Sequence, residues 1–237
     1  MGKGSLFAVE PGMKGILISC FRRRESSCVM EAYNLFDEYY ESLGYVCADK
    51  DEQIEQKSIE EQVEQELQEL RSKKQKTKKF LNMPMGDLEC LVFLKTGSHL
   101  IPSTFITGVF EDLKKSQVKK TRFCHRMIPI DYSCYANMKD LKTMFESIAG
   151  QYFPAESVES KTYCLSIESR FNSSLKKDDI IKEITFLIPS IHKVSFKDPM
   201  LTVSIQIFKN ICGLSVLENY DKFKKFNIQQ ITSTKEN

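Results

Sequence analysis

The chain has 237 residues, of which 41% are hydrophobic and 28% are charged, with 16 Phe and a formal net charge of +2 at pH 7. This length can bury one large core or two small ones, and the composition is that of a globular chain rather than a disordered one. No run of about 18 apolar residues is present to span a bilayer, and the first residues lack the apolar centre of a signal peptide. We therefore expect an intracellular protein with no membrane partner.

The first predicted elements are a buried strand and an amphipathic helix. The apolar run Gly15–Cys20 follows a Pro-Gly turn signal, which predicts the strand. Apolar residues then recur at spacings of three and four up to Gly44, where we expect the helix to end. The triplet Arg22–Arg24 lies at the turn between them. It is placed to meet phosphate, but ordinary solvated charge explains the triplet when it is considered alone.

An insertion between residues 47 and 80 is rich in Glu, Gln and Lys and has no Gly or Pro. Ser58 and Glu61 form a capping-box signal in front of a narrow apolar stripe, which predicts an acidic helix. The stripe consists of Ile59, Val63, Leu67 and Leu70. It is too thin to fold alone, so the helix packs on the domain or docks on a partner. The basic residues that follow form a flexible linker or, alternatively, an RNA-contacting or nuclear-import segment.

Beyond the insertion, strands and helices are mixed. The pattern predicts a strand at Glu89–Lys95, a helix opened by Pro102 and one alternating strand over Ile128–Tyr135. Asn137 is expected to cap the next helix and Gly150 to end it.

The last elements are a strand, a helix and a hairpin. An alternating strand over Tyr163–Ile167 precedes a helix that is halted by Pro189. Two further alternating strands, Leu201–Phe208 and Cys212–Val216, are separated by a two-residue turn and are expected to pair. This order predicts an α+β fold with a mixed sheet and two cores, divided near Gly97.

The stretch Gln117–Ala136 carries the strongest functional signal from the residues themselves. Its basic side chains are interleaved with the rings of Phe123 and His125. Lys and Arg hold phosphates, and splayed bases stack on rings, so this combination suits RNA. A solvated basic loop explains the stretch equally well when it is considered alone. The cations in question are Lys119, Lys120, Arg122 and Arg126.

Signals for catalysis or a cofactor are weak. The eight cysteines are scattered without a C-x-x-C pair, only three histidines are present, and no glycine-rich phosphate loop is visible. Cys124 and His125 are adjacent in a predicted strand, so their side chains point to opposite faces. We therefore expect no metal, no cofactor and no catalytic site.

Three blocks of the sequence resemble the THUMP-domain adaptor family of tRNA acetylation in fungi and animals. The blocks are Gly15–Glu25, Lys119–Ile130 and Ser215–Gln230, and the similarity extends over nearly the whole chain, including an acidic insertion. The resemblance implies an N-terminal ferredoxin-like domain followed by a THUMP domain. With the division near Gly97, the ferredoxin-like domain covers residues 1–97 and contains the insertion at 47–80. The THUMP domain covers residues 98–237.

The resemblance also implies a function. Members of the family are tRNA-binding adaptors that present serine and leucine tRNAs to a separate acetyltransferase for N4-acetylation of a D-arm cytidine. We therefore expect a non-catalytic adaptor in the nucleus or nucleolus, or alternatively in the cytoplasm, since the residues up to Asn237 leave no room for a fused catalytic domain. The alternatives are a stand-alone tRNA-modifying enzyme and a scaffold that docks through the acidic helix.

The same resemblance implies the RNA-binding residues. Residues in or near the matched blocks are Lys120, Arg122, Arg126, Arg170, Asn172, Lys222, Lys224 and Lys225. Charge and position alone add Lys119, Lys176 and Lys177. Each cation that neutralises a phosphate is expected to add close to one unit to the salt dependence of binding.

Overall fold

The computed structural model describes residues 6–45, 79–156 and 159–233. The first elements are β1 (Gly15–Cys20), α1 (Glu25–Ser42), β2 (Phe80–Met83), β3 (Leu91–Thr96), α2 (Pro102–Ser116) and β4 (Cys124–Ile130). They are followed by β5 (Tyr132–Tyr135), α3 (Met138–Tyr152), β6 (Thr162–Arg170), α4 (Lys177–Leu187), β7 (Lys193–Val194), β8 (Leu201–Phe208), β9 (Ile211–Glu218) and α5 (Ile228–Ile231). None of these helices is both long and apolar enough to cross a membrane. The predicted acidic helix and its basic tail lie outside the described residues.

The first sheet has the strand order β2-β3-β1-β4, and every neighbouring pair is antiparallel. Together with α1 and α2, which pack on it, this is the ferredoxin-like βαββαβ arrangement that was predicted. The central strand β1 is buried along its length except at Ser19, which is half-buried. One end of each helix agrees with its sequence: Pro102 opens α2, and α1 is followed by Gly44 with φ +78°.

The two sheets divide at Asp131 rather than near Gly97. Helix α2 and strand β4 belong to the first sheet, where Ile130 pairs with Gly15. A ferredoxin-like unit needs this fourth strand because β1 would otherwise be left as an open edge. The single strand predicted over Ile128–Tyr135 is therefore wrong: β4 and β5 lie on different sheets. Alternation continues through Asp131, so periodicity alone did not reveal the change of sheet.

The second sheet has the strand order β5-β9-β8-β6-β7 and is mixed, as predicted. Strand β6 runs parallel to β7 and β8, whereas β9 runs antiparallel to β5 and β8. The predicted hairpin is confirmed by the pairing of Phe208 with Ile211. The Asn137 side chain caps α3 by accepting a hydrogen bond from the N–H of Asp140. Gly150 does not end α3, which continues to Tyr152.

The C-terminal segment, residues 219–231, joins the two sheets. Its side chains Phe223 and Phe226 are fully buried and pack against Phe110 of α2. The backbone carbonyl of Phe226 accepts a hydrogen bond from the N–H of Met127, which covers the outer edge of β4. Residues contributed by both sheets are therefore held in one hydrophobic core.

Asp131 is a buried carboxyl at the junction of the sheets. Its Oδ1 accepts a hydrogen bond from the N–H of Ser103 at 2.9 Å, and its Oδ2 has no partner among the described residues. Burial raises the pKa of Asp131 above its ordinary value, and the hydrogen bond from Ser103 and the positive charge of Lys14 oppose this increase only in part.

We expect Asp131→Asn to weaken the pH dependence of stability. Because the pKa of Asp131 is higher in the folded state than in the unfolded chain, its contribution is complete below the unfolded value of about 3.8. That contribution is lost as the pH rises through the raised pKa, since the unfolded chain then holds fewer protons. Urea denaturation from pH 4 to pH 7 should show a smaller loss of unfolding free energy for the variant. The exposed Asp198→Asn is the control, and identical profiles for Asp131→Asn and the parent protein would contradict the assignment.

Candidate nucleic-acid interface

The loop between α2 and β4 is fixed by one side chain of α1. The Glu31 carboxylate accepts hydrogen bonds from the backbone N–H of Arg122 at 3.0 Å and of Phe123 at 2.8 Å. Helical periodicity places Glu31 on the side of α1 that faces this loop, one turn after Cys28, whose thiol lies 3.3 Å from that of Cys124. Because the backbone is held at consecutive residues, the side chains of the loop leave it in fixed directions.

Beside this loop lies a cavity of about 510 Å³, which we call the Phe21 pocket. The β1–α1 turn, the α2–β4 loop and α5 all contribute to it. Its lining residues are Phe21, Arg22, Arg24, Lys119, Arg122, Phe123 and Gln229. Four of these side chains are cationic, and among the described residues no carboxylate lines the cavity. The pocket is therefore a site of positive potential with aromatic walls.

The two phenylalanine rings of the pocket differ in their contacts. The guanidinium groups of Arg24 and Arg122 lie 5.2 and 5.4 Å from the centre of the Phe123 ring, within the range of cation–π attraction. The Phe21 ring packs at right angles against His125 with the centroids 4.0 Å apart, and it is 49% exposed. The Phe123 ring thus contacts the cations, whereas the Phe21 ring is half-exposed to solvent.

Lys120 is directed away from the pocket, toward α1. Its ammonium group forms an ion pair with Glu38 at 2.6 Å and donates to the Tyr39 hydroxyl at 3.0 Å. Burial alone would lower the pKa of Lys120, but these hydrogen bonds raise it above the ordinary value. The Tyr39 hydroxyl in turn donates to the Asp112 carboxylate. The charge of Lys120 is therefore already paired within the protein.

Arg126 and Arg170 are brought together by Glu168. Glu168 and Arg170 both lie on β6, and Arg126 lies on β4. One carboxylate oxygen of Glu168 lies 3.2 Å from the Arg126 guanidinium, and the other lies 2.5 Å from the Arg170 guanidinium. Arg170 also donates to the Gln206 side-chain oxygen. All three charged side chains are about one-third exposed, so the network links the two sheets and keeps an excess of one positive charge at the surface.

Asn172 organises the turn before α4. Its side-chain N–H group donates to the carbonyl of Lys209, and its oxygen accepts hydrogen bonds from the backbone N–H groups of Ser174 and Leu175. With these contacts, Asn172 acts as a turn-forming residue. Lys176 and Lys177 follow at the start of α4 and are exposed. They do not line the Phe21 pocket or the cleft described next.

A second basic cavity, which we call the lysine cleft, lies between the end of α2 and the C-terminal segment and has a volume of about 560 Å³. It is lined by Lys114, Lys115, Gln117, Asp221, Lys222, Lys224 and Ile231. Lys224, Lys225 and Phe226 have consecutive positive φ angles of 52°, 57° and 53°. Residues other than glycine rarely adopt this left-handed backbone conformation. In this conformation the Lys224 side chain lies at the cleft. Lys225 is exposed beside it without lining it.

The structure thus divides the predicted residues into separate groups. Lys119 and Arg122 lie at the Phe21 pocket, and Lys222 and Lys224 lie at the lysine cleft. Both cavities draw on residues 114–122 and on α5, so they are neighbours on one basic surface. Sequence reasoning did not include Phe21, Arg22, Arg24, Lys114 and Lys115 in the site. Three consecutive arginines after a buried strand were the available signal.

No group of three or more His, Cys, Asp or Glu side chains in residues 6–45, 79–156 and 159–233 is arranged to hold a metal ion. The functional groups of the Phe21 pocket are Lys, Arg and Phe side chains.

Comparison with known proteins identifies the second sheet. The THUMP domain model matches residues 135–217, which run from the end of β5 nearly to the end of β9. The chain is thus a THUMP-domain protein with a ferredoxin-like unit in front of that domain. It is 31% identical to "tRNA acetyltransferase TAN1" of Saccharomyces cerevisiae, with 96% of this chain and 87% of the yeast protein covered. The chain therefore belongs to the family that includes TAN1 and THUMP domain-containing protein 1.

The chain is also similar to a bovine protein and to one solved domain structure. The chain is 31% identical to "THUMP domain-containing protein 1" of Bos taurus over 95% of its own length, and it spans 65% of the length of that bovine relative. The solution structure of the THUMP domain of THUMP domain-containing protein 1 is 28% identical and covers 34% of this chain and 84% of that domain, with a TM-score of 0.31.

Proposed function

We propose that this protein binds tRNA and serves as the adaptor that presents serine and leucine tRNAs to a separate acetyltransferase for N4-acetylation of a D-arm cytidine. The family assignment and the name of the yeast relative support a role in tRNA acetylation. The observation that carries the binding role is the Phe21 pocket, where four cations and two phenylalanine rings converge. Phosphate neutralisation and ring stacking are the two interactions that RNA-binding surfaces combine.

The adaptor role is favoured over catalysis by what the surface offers. The pocket and the lysine cleft present Lys ammonium and Arg guanidinium groups, which suit the binding of anions. Neither cavity is lined by a His or Cys side chain that could act as a general base or nucleophile among the described residues. Binding without chemistry is the activity that such a surface supports best.

Acetylcytidine formation is the test. Serine and leucine tRNAs are incubated with an acetyl donor and the candidate acetyltransferase, with this protein, or with both, and a tRNA for another amino acid serves as the control. Product in the serine and leucine reactions only when both proteins are present is the expected result. Product with this protein alone would replace the adaptor by an enzyme, and product that does not depend on this protein would contradict the proposal.

A further inference from the structure

We infer that the Phe21 pocket binds one unpaired nucleotide of an RNA chain, with the base stacked on Phe21 and the phosphate held by Arg24 and Arg122. This inference rests on the proposed function, since it names the feature of the RNA that one part of the protein recognises. It assigns separate tasks to the aromatic and the cationic side chains of the pocket, and these tasks can be measured separately.

The phosphate site is organised before any ligand arrives. Arg24 and Arg122 come from segments far apart in the chain, yet both guanidinium groups lie against the Phe123 ring. A guanidinium held on a ring keeps its planar set of N–H donors in place, and that geometry matches two oxygens of a phosphate. Little side-chain freedom is then lost on binding.

Nearby acids leave these two arginines available. Glu89 lies 2.9 Å from Arg22, so Arg22 is paired at the rim of the pocket. Glu31 is directed at the backbone N–H groups of Arg122 and Phe123 rather than at the Arg122 guanidinium. The lining cations that have no ion pair in the described part of the chain are Arg24, Lys119 and Arg122.

The base site is the exposed part of the Phe21 side chain. A phenylalanine side chain that is 49% exposed gains only part of the free energy that full burial would contribute, and this one borders a cationic cavity. His125 packs against the ring and limits its motion. Bases in a duplex are already stacked on each other, so a ring of this kind is available only to an unpaired base. The cavity volume of about 510 Å³ lies within the range of pockets that hold small ligands.

The experiment measures binding of a fluorescent single-stranded RNA of about ten nucleotides, a length within the site sizes of such proteins, to the full chain over a range of salt concentrations. Phe21→Ala and Phe21→Leu should weaken binding by about 5- to 100-fold without changing the salt slope, since they remove a ring and no charge. Phe21→Trp should bind at least as well as the parent protein. Arg24→Ala and Arg122→Ala should each lower the slope by about 0.7. Phe196→Ala, which removes a ring that is 89% exposed and does not line the pocket, is the matched control.

Four results would overturn the inference. The first two are an unchanged RNA affinity of Phe21→Leu and a loss of RNA affinity in Phe196→Ala equal to that in Phe21→Ala. The third is that the Phe21 variants lose as much affinity for a blunt-ended duplex containing the same strand as for the single strand. The fourth is that a free nucleoside monophosphate binds as tightly as the RNA. Thermal unfolding checks that the variants are folded, and the contrast between Phe21→Trp and Phe21→Leu decides the matter even if Phe21→Ala is unstable. Ring-dependent RNA binding without any effect on acetylation would leave this inference standing and contradict the proposed function. RNA binding that does not depend on the Phe21 ring, together with acetylation that depends on this protein, would contradict only this inference.

Discussion

Replacing Phe226 with Ala is expected to lower the free energy of unfolding by about 3–5 kcal/mol, the usual cost of removing a buried phenylalanine ring. The Phe226 ring is fully buried, with its centroid 5.1 Å from that of Phe110, 5.5 Å from that of Phe223 and 6.0 Å from that of Tyr220. Its removal would leave a cavity at the point where the C-terminal segment joins α2 and both sheets. Urea denaturation followed by circular dichroism measures the loss.

The neighbouring Lys225 provides the control for this prediction. Lys225 has nearly the same backbone conformation as Phe226 but is exposed. Lys225→Ala is therefore expected to change the unfolding free energy by no more than about 0.5 kcal/mol. If both variants lost similar stability, burial of the Phe226 ring would not explain the loss, and the role given to Phe226 would be wrong.

Glu31→Ala is expected to weaken RNA binding although it removes a negative charge next to a basic pocket. Simple electrostatics predicts the opposite, because a polyanion should bind more tightly when a carboxylate is lost. The Glu31 carboxylate, however, holds the N–H groups of Arg122 and Phe123. Without the Glu31 carboxylate, the loop between α2 and β4 gains conformational entropy. RNA binding then has to remove this entropy, which lowers the affinity. Loss of these charge-assisted hydrogen bonds should also cost about 1–3 kcal/mol of stability.

Glu38 offers a matched control on the same helix. Glu38→Ala also removes one carboxylate from α1, but Glu38 pairs with the Lys120 side chain and does not hold the loop backbone. This variant should bind RNA as tightly as the parent protein or more tightly, because Lys120 is released. Equilibrium binding at two salt concentrations compares the two variants. A gain in affinity for both would show that charge rather than loop geometry governs the site.

Much of the local structure could be predicted from the residues alone. Apolar spacing located β1, α1 and α2, and Pro102, Asn137 and Gly44 marked helix ends by their own backbone and side-chain chemistry. The hairpin β8–β9 was also predicted correctly, because two alternating strands separated by two residues have few other ways to pair. The basic stretch around Arg122 could also be recognised, because its cations and rings are adjacent in the sequence.

The sequence by itself therefore determined most of the elements, the fold class and the family, since each of these depends on neighbours along the chain or on similarity to relatives. Only the tertiary structure decided that the sheets divide at Asp131, that Lys120 is paired with Glu38, and that Arg24 and Arg122 both lie near the Phe123 ring. These results depend on contacts between residues far apart in sequence. Periodicity carries no information about which distant side chains will meet, and the packing of the sheets and helices supplies it.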